Sequence, residues 1–173
     1  CHECERDSYF VFLTAEKFTG DLGGQIEADN KCQNSAELGG LKGKFRAWLS
    51  DGVSSPALRF TKSSKPYILP GTYERVADDW LGLVTGALER PIDRTAVGDP
   101  IEAGSTCEQT GALAWTHTRA TGGPFKSAPC SGWLSSLGDA VAGLAHEDGL
   151  PWTEGCPAIP CSKALRLYCV EQP

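Results

Sequence analysis

The chain predicts an α+β fold: a small antiparallel sheet with two helices, and long loops stapled by disulfides. Three observations predict it. Cysteines occur at Cys1, Cys4, Cys32, Cys107, Cys130, Cys156, Cys161 and Cys169. They are even in number and spread over the whole chain, the usage of an oxidising compartment. Glycine (20) and proline (11) are frequent among the 173 residues, which implies many turns and ordered loops rather than long helices. Strand-like and helix-like segments follow one another without regular alternation, which argues against a parallel α/β sheet.

Each element follows from its own residues. "YFVFLT" (Tyr9 to Thr14) is aromatic and β-branched and reads as a strand. "EKFTGDLGG" is a turn-rich loop. "QIEADNKCQNSAELGGL" carries Ile26, Ala28, Cys32, Ala36 and Leu38 at amphipathic-helix spacing, with Cys32 on the buried face and Gly39-Gly40 as the stop. "KFRAWLSD" reads as a second strand, with Phe45, Ala47 and Leu49 on one face and Trp48 on the other. A short strand is expected at Pro66 to Leu69 and a short helix near Ala77 to Leu83. Residues 89–110 show little periodicity. "ALAWTHT" is a further strand, "RATGGPFKSAPCSGW" reads as loop into strand, and residues 135–161 as a long loop of small residues. "ALRLYCVE" closes the chain as a strand. Residues 1–8 form a cysteine-containing segment ahead of one domain over residues 9–173.

Composition narrows the function classes. A chain of this length can bury roughly two-thirds of its unfolded surface, and 40% hydrophobic with 22% charged residues is a globular balance. The apolar runs are far too short to span a membrane. Neither a signal peptide nor a methionine is present, so a mature chain is expected whose targeting segment has been removed. The net charge is −6 and no basic stripe exists, so no nucleic-acid partner is expected.

Several motifs then share one order. They are "TGDLGGQIEADNKCQNSAELGGLKGKFRAWLSD", "KPYILPGTYERVADDWLGLVTGALERPI", "LAWTHT" with a later Gly, Cys and Trp, and the ending Cys161-x7-Cys169-x-Glu171. Over residues 9–171 this order resembles the endostatin-like branch of the C-type lectin fold, in particular its bacterial extracellular domains. The resemblance implies the pairs Cys32–Cys169 and Cys130–Cys161. The first would close a loop of well over a hundred residues, for which chain entropy gives roughly 4–5 kcal/mol. Of the other four cysteines, Cys107–Cys156 and Cys1–Cys4 are the tentative pairs. Sequence does not choose among their three connectivities, and an intermolecular bridge or a lipid at Cys1 stays open.

The sites follow from the same reading. Calcium needs six to eight oxygen ligands. The lectin tripeptides Glu-Pro-Asn and Gln-Pro-Asp are absent, and Trp152-Thr153-Glu154 is a displaced echo of Trp-Asn-Asp. Asp93, Asp99, Glu102 and Glu108 share one irregular stretch and are the calcium candidates, with solvated surface as the competing reading; no other cofactor is expected. Zinc at Cys1, His2 and Cys4, or at Cys156 and Cys161, competes with disulfides. His117 and His146 lack the surroundings of a triad, and no Gly-x-Ser-x-Gly elbow occurs, so no enzyme is expected. Trp152 is the candidate exposed aromatic, accompanied by Glu154. "RATGGPFK" presents Arg119, Phe125 and Lys126, next to His117. The expected function is non-catalytic recognition or adhesion, secreted or at the cell surface, binding a protein or glycan through the late loops. The alternative is self-association, as a structural subunit of an extracellular filament or surface layer.

Overall fold

The structure, a computed structural model, describes residues 7–173. The strands are β1 (Tyr9–Leu13), β2 (Lys44–Ala47), β3 (Tyr67–Ile68), β4 (Arg75–Ala77), β5 (Leu113–Trp115), β6 (Asp139–Leu144), β7 (Cys156–Pro160) and β8 (Arg166–Gln172). The helices are α1 (Gln25–Leu38) and four single turns: α2 (Pro56–Arg59), α3 (Trp80–Leu83), α4 (Cys130–Trp133) and α5 (Pro151–Glu154). The architecture is therefore α+β with one long helix.

The strands join one sheet in the order β4-β3-β1-β8-β5-β6-β7, with β2 also on β8. The expectation of an antiparallel sheet needs correction, because β1 pairs β3 in parallel and β5 pairs β8 in parallel. The closing strand sets the arrangement. Val170 pairs with Val11 of β1 and with Arg46 of β2, and further down Leu167 pairs with Trp115 of β5. "LRLYCV" is continuously apolar apart from Arg166 because both faces of β8 are covered. Leu167 and Cys169 enter the core shared with α1, and Tyr168 and Val170 enter the core on the other side. β1 alternates the same way, Phe12 toward α1 and Val11 and Leu13 away from it. Phe45, Ala47 and Leu49 fall on the α1 side and Trp48 opposite, as the alternation in sequence predicts.

Helix α1 buries Ala28, Cys32 and Ala36, and its end at Leu38–Gly39 matches the expected stop. Ile26 and Leu38, expected with them on the buried face, are exposed. The small residues at the contact let the helix lie close on β8, where Cys32 joins Cys169. Cys130–Cys161 and Cys107–Cys156 are the other bridges. These pairings coincide with those implied by resemblance and with the tentative one. Cys156 and Cys161 thus belong to separate bridges and are not a zinc-ligand pair. Cys1, His2 and Cys4 lie outside the described residues.

The stretch expected as a long loop holds β6, α5 and β7. Its small residues are there for packing: a Cβ on Gly143 would come within 2.0 Å of the Trp152 carbonyl oxygen, so α5 sits directly on β6. The strand expected after the Gly-rich loop is instead the turn α4. Among the described residues no helix is long and apolar enough to cross a membrane.

Candidate functional site

The chain leaves β5 at Trp115 and enters a hairpin that returns at Phe125. Arg119 N–H donates to the Gly123 carbonyl (2.8 Å) and Gly122 N–H to the Arg119 carbonyl (2.9 Å). Gly122 takes φ 82°, a conformation that a residue without Cβ reaches at little cost. Two outside contacts hold the tip: Ala57 N–H donates to the Gly122 carbonyl (3.0 Å), and Ala120 N–H donates to Glu154 Oε2 (2.8 Å). Glu154 is thus a buttress under the hairpin rather than a free ligand.

His117 locks the base. It is 4% exposed and takes φ 44°, uncommon for a residue with Cβ. Val141 N–H donates to its Nδ1 (3.2 Å), and its Nε2 lies 3.0 Å from the Ser127 carbonyl oxygen. An Nδ1 that accepts and an Nε2 that donates define the neutral ring protonated at Nε2. Burial pushes its pKa below the ordinary histidine value, partly opposed by the Ser127 carbonyl and Asp139. The ring joins β6 to the exit of the hairpin and keeps neither nitrogen free.

Above it the side chains form layers. The His117 and Phe125 ring centroids are 5.5 Å apart, and the Arg119 guanidinium carbon lies 4.3 Å from the Phe125 centroid. A guanidinium over a phenyl face at such an exposed site gains about 0.5–1 kcal/mol, and its N–H groups keep their donor capacity. Arg119 and Lys126 are exposed and Phe125 partly so. The hairpin therefore presents a cation fixed on an aromatic ring, with a second exposed cation at the next position, Lys126.

A buried hydroxyl relay supports this arrangement. Trp48 Nε1 donates to Thr153 Oγ1 (2.7 Å), which donates to the Thr118 carbonyl (2.8 Å). Thr118 Oγ1 donates to the Thr116 carbonyl (2.6 Å) and meets Ser50 Oγ at 2.8 Å. Beside it, α4 is wound left-handed: φ is 48° at Cys130, 54° at Ser131, 77° at Gly132 and 67° at Trp133. Three of these carry side chains, and each such residue costs roughly 1–2 kcal/mol. The turn persists because its surroundings over-determine it. Cys130 is bridged to Cys161, Trp133 Nε1 donates to the Ser50 carbonyl (2.8 Å), and Leu22 and Gly24 N–H both donate to the Trp133 carbonyl (3.0 Å). Neither the relay nor the turn is legible in sequence. Ser, Thr and a lone glycine carry no spacing signal of either.

Trp152 is a correction. Expected as an exposed aromatic, it is 1% exposed and packs with its ring centroid 5.0 Å from Trp48 and 5.2 Å from Tyr168. Its preceding proline starts α5, and the ring lies in the core that holds Trp48 and Tyr168. The calcium candidates are not assembled either. Glu102 accepts from Lys17 (2.8 Å) and lies 3.6 Å from Arg166, and Lys17 holds its pKa below the usual carboxylate range. Asp93 faces Arg94 at 3.7 Å, and Asp99 and Glu108 are exposed. Among the described residues no three His, Cys, Asp or Glu side chains gather as a metal-binding group. His146 Nε2 is taken up by the Glu102 carbonyl at 2.7 Å. No protein-family model and no curated protein matches the chain.

Proposed function

We propose that the chain is a non-catalytic extracellular recognition domain of C-type lectin-like type, which binds a protein or glycan through the hairpin at residues 117–127. One observation carries the reading: the Arg119 guanidinium stacked on Phe125 at 4.3 Å, on a loop whose base is locked by His117. A planar cation held in place before binding loses little freedom on contact and matches a carboxylate with two donors. The ligand therefore bears acidic groups, on uronic or sialic sugars or on Asp and Glu side chains. The occupied ring nitrogens of His117 favour binding over proton transfer. The three disulfides support a secreted or cell-surface location. The motif order along the chain, with Cys32 of the first helix bridged to Cys169 of the last strand, supports the lectin-like assignment.

The test is an array of acidic and neutral glycans together with Asp/Glu-rich and neutral peptides, probed with the native chain. Acidic ligands are captured, and Arg119→Ala weakens capture at least tenfold with only the small loss of thermal stability that the lost stack implies. Lys44→Ala, at an exposed position on β2, leaves it unchanged. Capture that ignores Arg119, or no preference for acidic ligands, refutes the assignment of the hairpin.

A further inference from the structure

A cleft of about 660 Å³ lies between one face of α1, the chain following β1 and the turn at residues 95–98, and shares no residue with the hairpin. Its volume is that of a ligand site. In its lining Gly39 meets Ala96, where a Cβ on Gly39 would come within 2.5 Å of the Ala96 Cβ. Leu38 and Val97 flank that contact and are 84% and 60% exposed. Local structure explains neither. Val97 sits in a tight turn closed by Gly98 N–H on the Thr95 carbonyl (2.9 Å), where Gly, Asn, Asp, Pro or Ser is the usual choice. Leu38 ends a helix whose own packing stops at Ala36. Two large apolar side chains are thus offered to the same cleft, over the half-buried Phe18.

The cleft holds two carboxylates, Glu16 and Glu37, against one ammonium, Lys31. Lys31 Nζ is engaged by the Leu22 carbonyl (3.2 Å) and lies over the Phe18 ring (5.4 Å). Glu16 pairs with no described residue, and Glu37 accepts only an amide N–H of Gln33 (3.2 Å) among the contacts of its carboxylate. The last turn of α1 has no basic residue, so the negative pole of the helix adds to the Glu37 carboxylate. Thr95, 7% exposed, belongs to the wall, and its hydroxyl is buried without a hydrogen-bond partner.

We propose that this cleft is a second recognition site, which takes an extended basic and apolar peptide segment of a partner protein. An apolar side chain sits between Leu38 and Val97, and a lysine or arginine reaches Glu16 and Glu37. The partner is the electrostatic complement of a chain with net charge −6. The probe is acetyl-Leu-Lys-Leu-amide, titrated into the isotopically labelled chain and followed by amide NMR shifts, with acetyl-Leu-Glu-Leu-amide as the charge-reversed control. The basic peptide shifts Leu38, Gly39, Ala96 and Val97 and binds at least tenfold more tightly than the acidic one. Glu16→Gln with Glu37→Gln removes that preference, and Leu38→Ser weakens both peptides. All three positions are exposed, so retained spectral dispersion shows that the variants fold. Arg119→Ala changes nothing here, which separates this site from the hairpin. Equal affinity for the two peptides, or shifts elsewhere only, overturns the proposal.

Discussion

At the scale of single residues, His117 makes the hairpin sensitive to pH. Its imidazole is buried and neutral in the folded chain, and burial depresses its pKa. The unfolded chain takes up the proton near the ordinary value of about 6.5. Below that pH the unfolded state binds more protons than the folded one, so stability is lost as pH falls, and it is fully present above about pH 7.5. The slope is at most about 1.4 kcal/mol per pH unit. Urea unfolding at pH 7.5 and 5.5 checks this: the wild type loses stability between the two, and His117→Asn, which tolerates the left-handed backbone, loses less. An unchanged difference in the variant would place the titration elsewhere. The sequence shows His117 beside hydroxyls on a strand end, yet not that both nitrogens are used. Trp152 shows the opposite failure. An aromatic in a loop of small residues reads as exposed, although the smallness of the strand beneath it makes room for the backbone of α5.

At the scale of elements, α4 carries the most strain for its length. Ser131 is exposed at φ 54°, and the penalty for a residue with Cβ there is roughly 1–2 kcal/mol. Glycine removes that penalty and returns about 0.5–1 kcal/mol as entropy of the unfolded chain. Ser131→Gly is therefore expected to stabilise by about 0.5–1 kcal/mol, and Ser131→Val to destabilise by more than 1 kcal/mol. Both are read as shifts of the urea midpoint at unchanged slope. No gain from glycine would mean that the serine side chain holds the turn. Elements with a strong period were legible: α1 through Ala28, Cys32 and Ala36, and β1, β2 and β8 through alternating or continuous apolar runs. β6 and β7 were not. Gly143 is chosen for close approach of α5, and Ala140 and Ala142 for the core on the opposite face, rather than for strand propensity, and the parallel pairings of β1 with β3 and of β5 with β8 leave no local trace.

At the scale of the whole molecule, the bridges close loops of 137, 49 and 31 residues. Chain entropy puts them at about 5, 4 and 4 kcal/mol, together of the order of a domain's entire stability. They differ in access. Cys32 and Cys169 are fully buried between α1 and β8, and Cys130 and Cys161 are buried under Gly20, whereas Cys107 is partly exposed at the edge of the core. Thiol exchange requires a thiolate to reach the sulfur. Under native conditions a mild reductant is therefore expected to open Cys107–Cys156 first, with both sulfurs alkylated while the buried tryptophans keep their folded emission. The other two bridges should become labelled only together, as the emission shifts to that of the unfolded chain, because reaching Cys32–Cys169 requires α1 to leave β8. Time-resolved alkylation with mass spectrometry gives the order. Early opening of Cys32–Cys169 would mean that α1 detaches from a folded sheet. The last strand would then be held by β1, β2 and β5 alone, and the bridge would serve as a latch between helix and sheet instead of a lock on the unfolded chain.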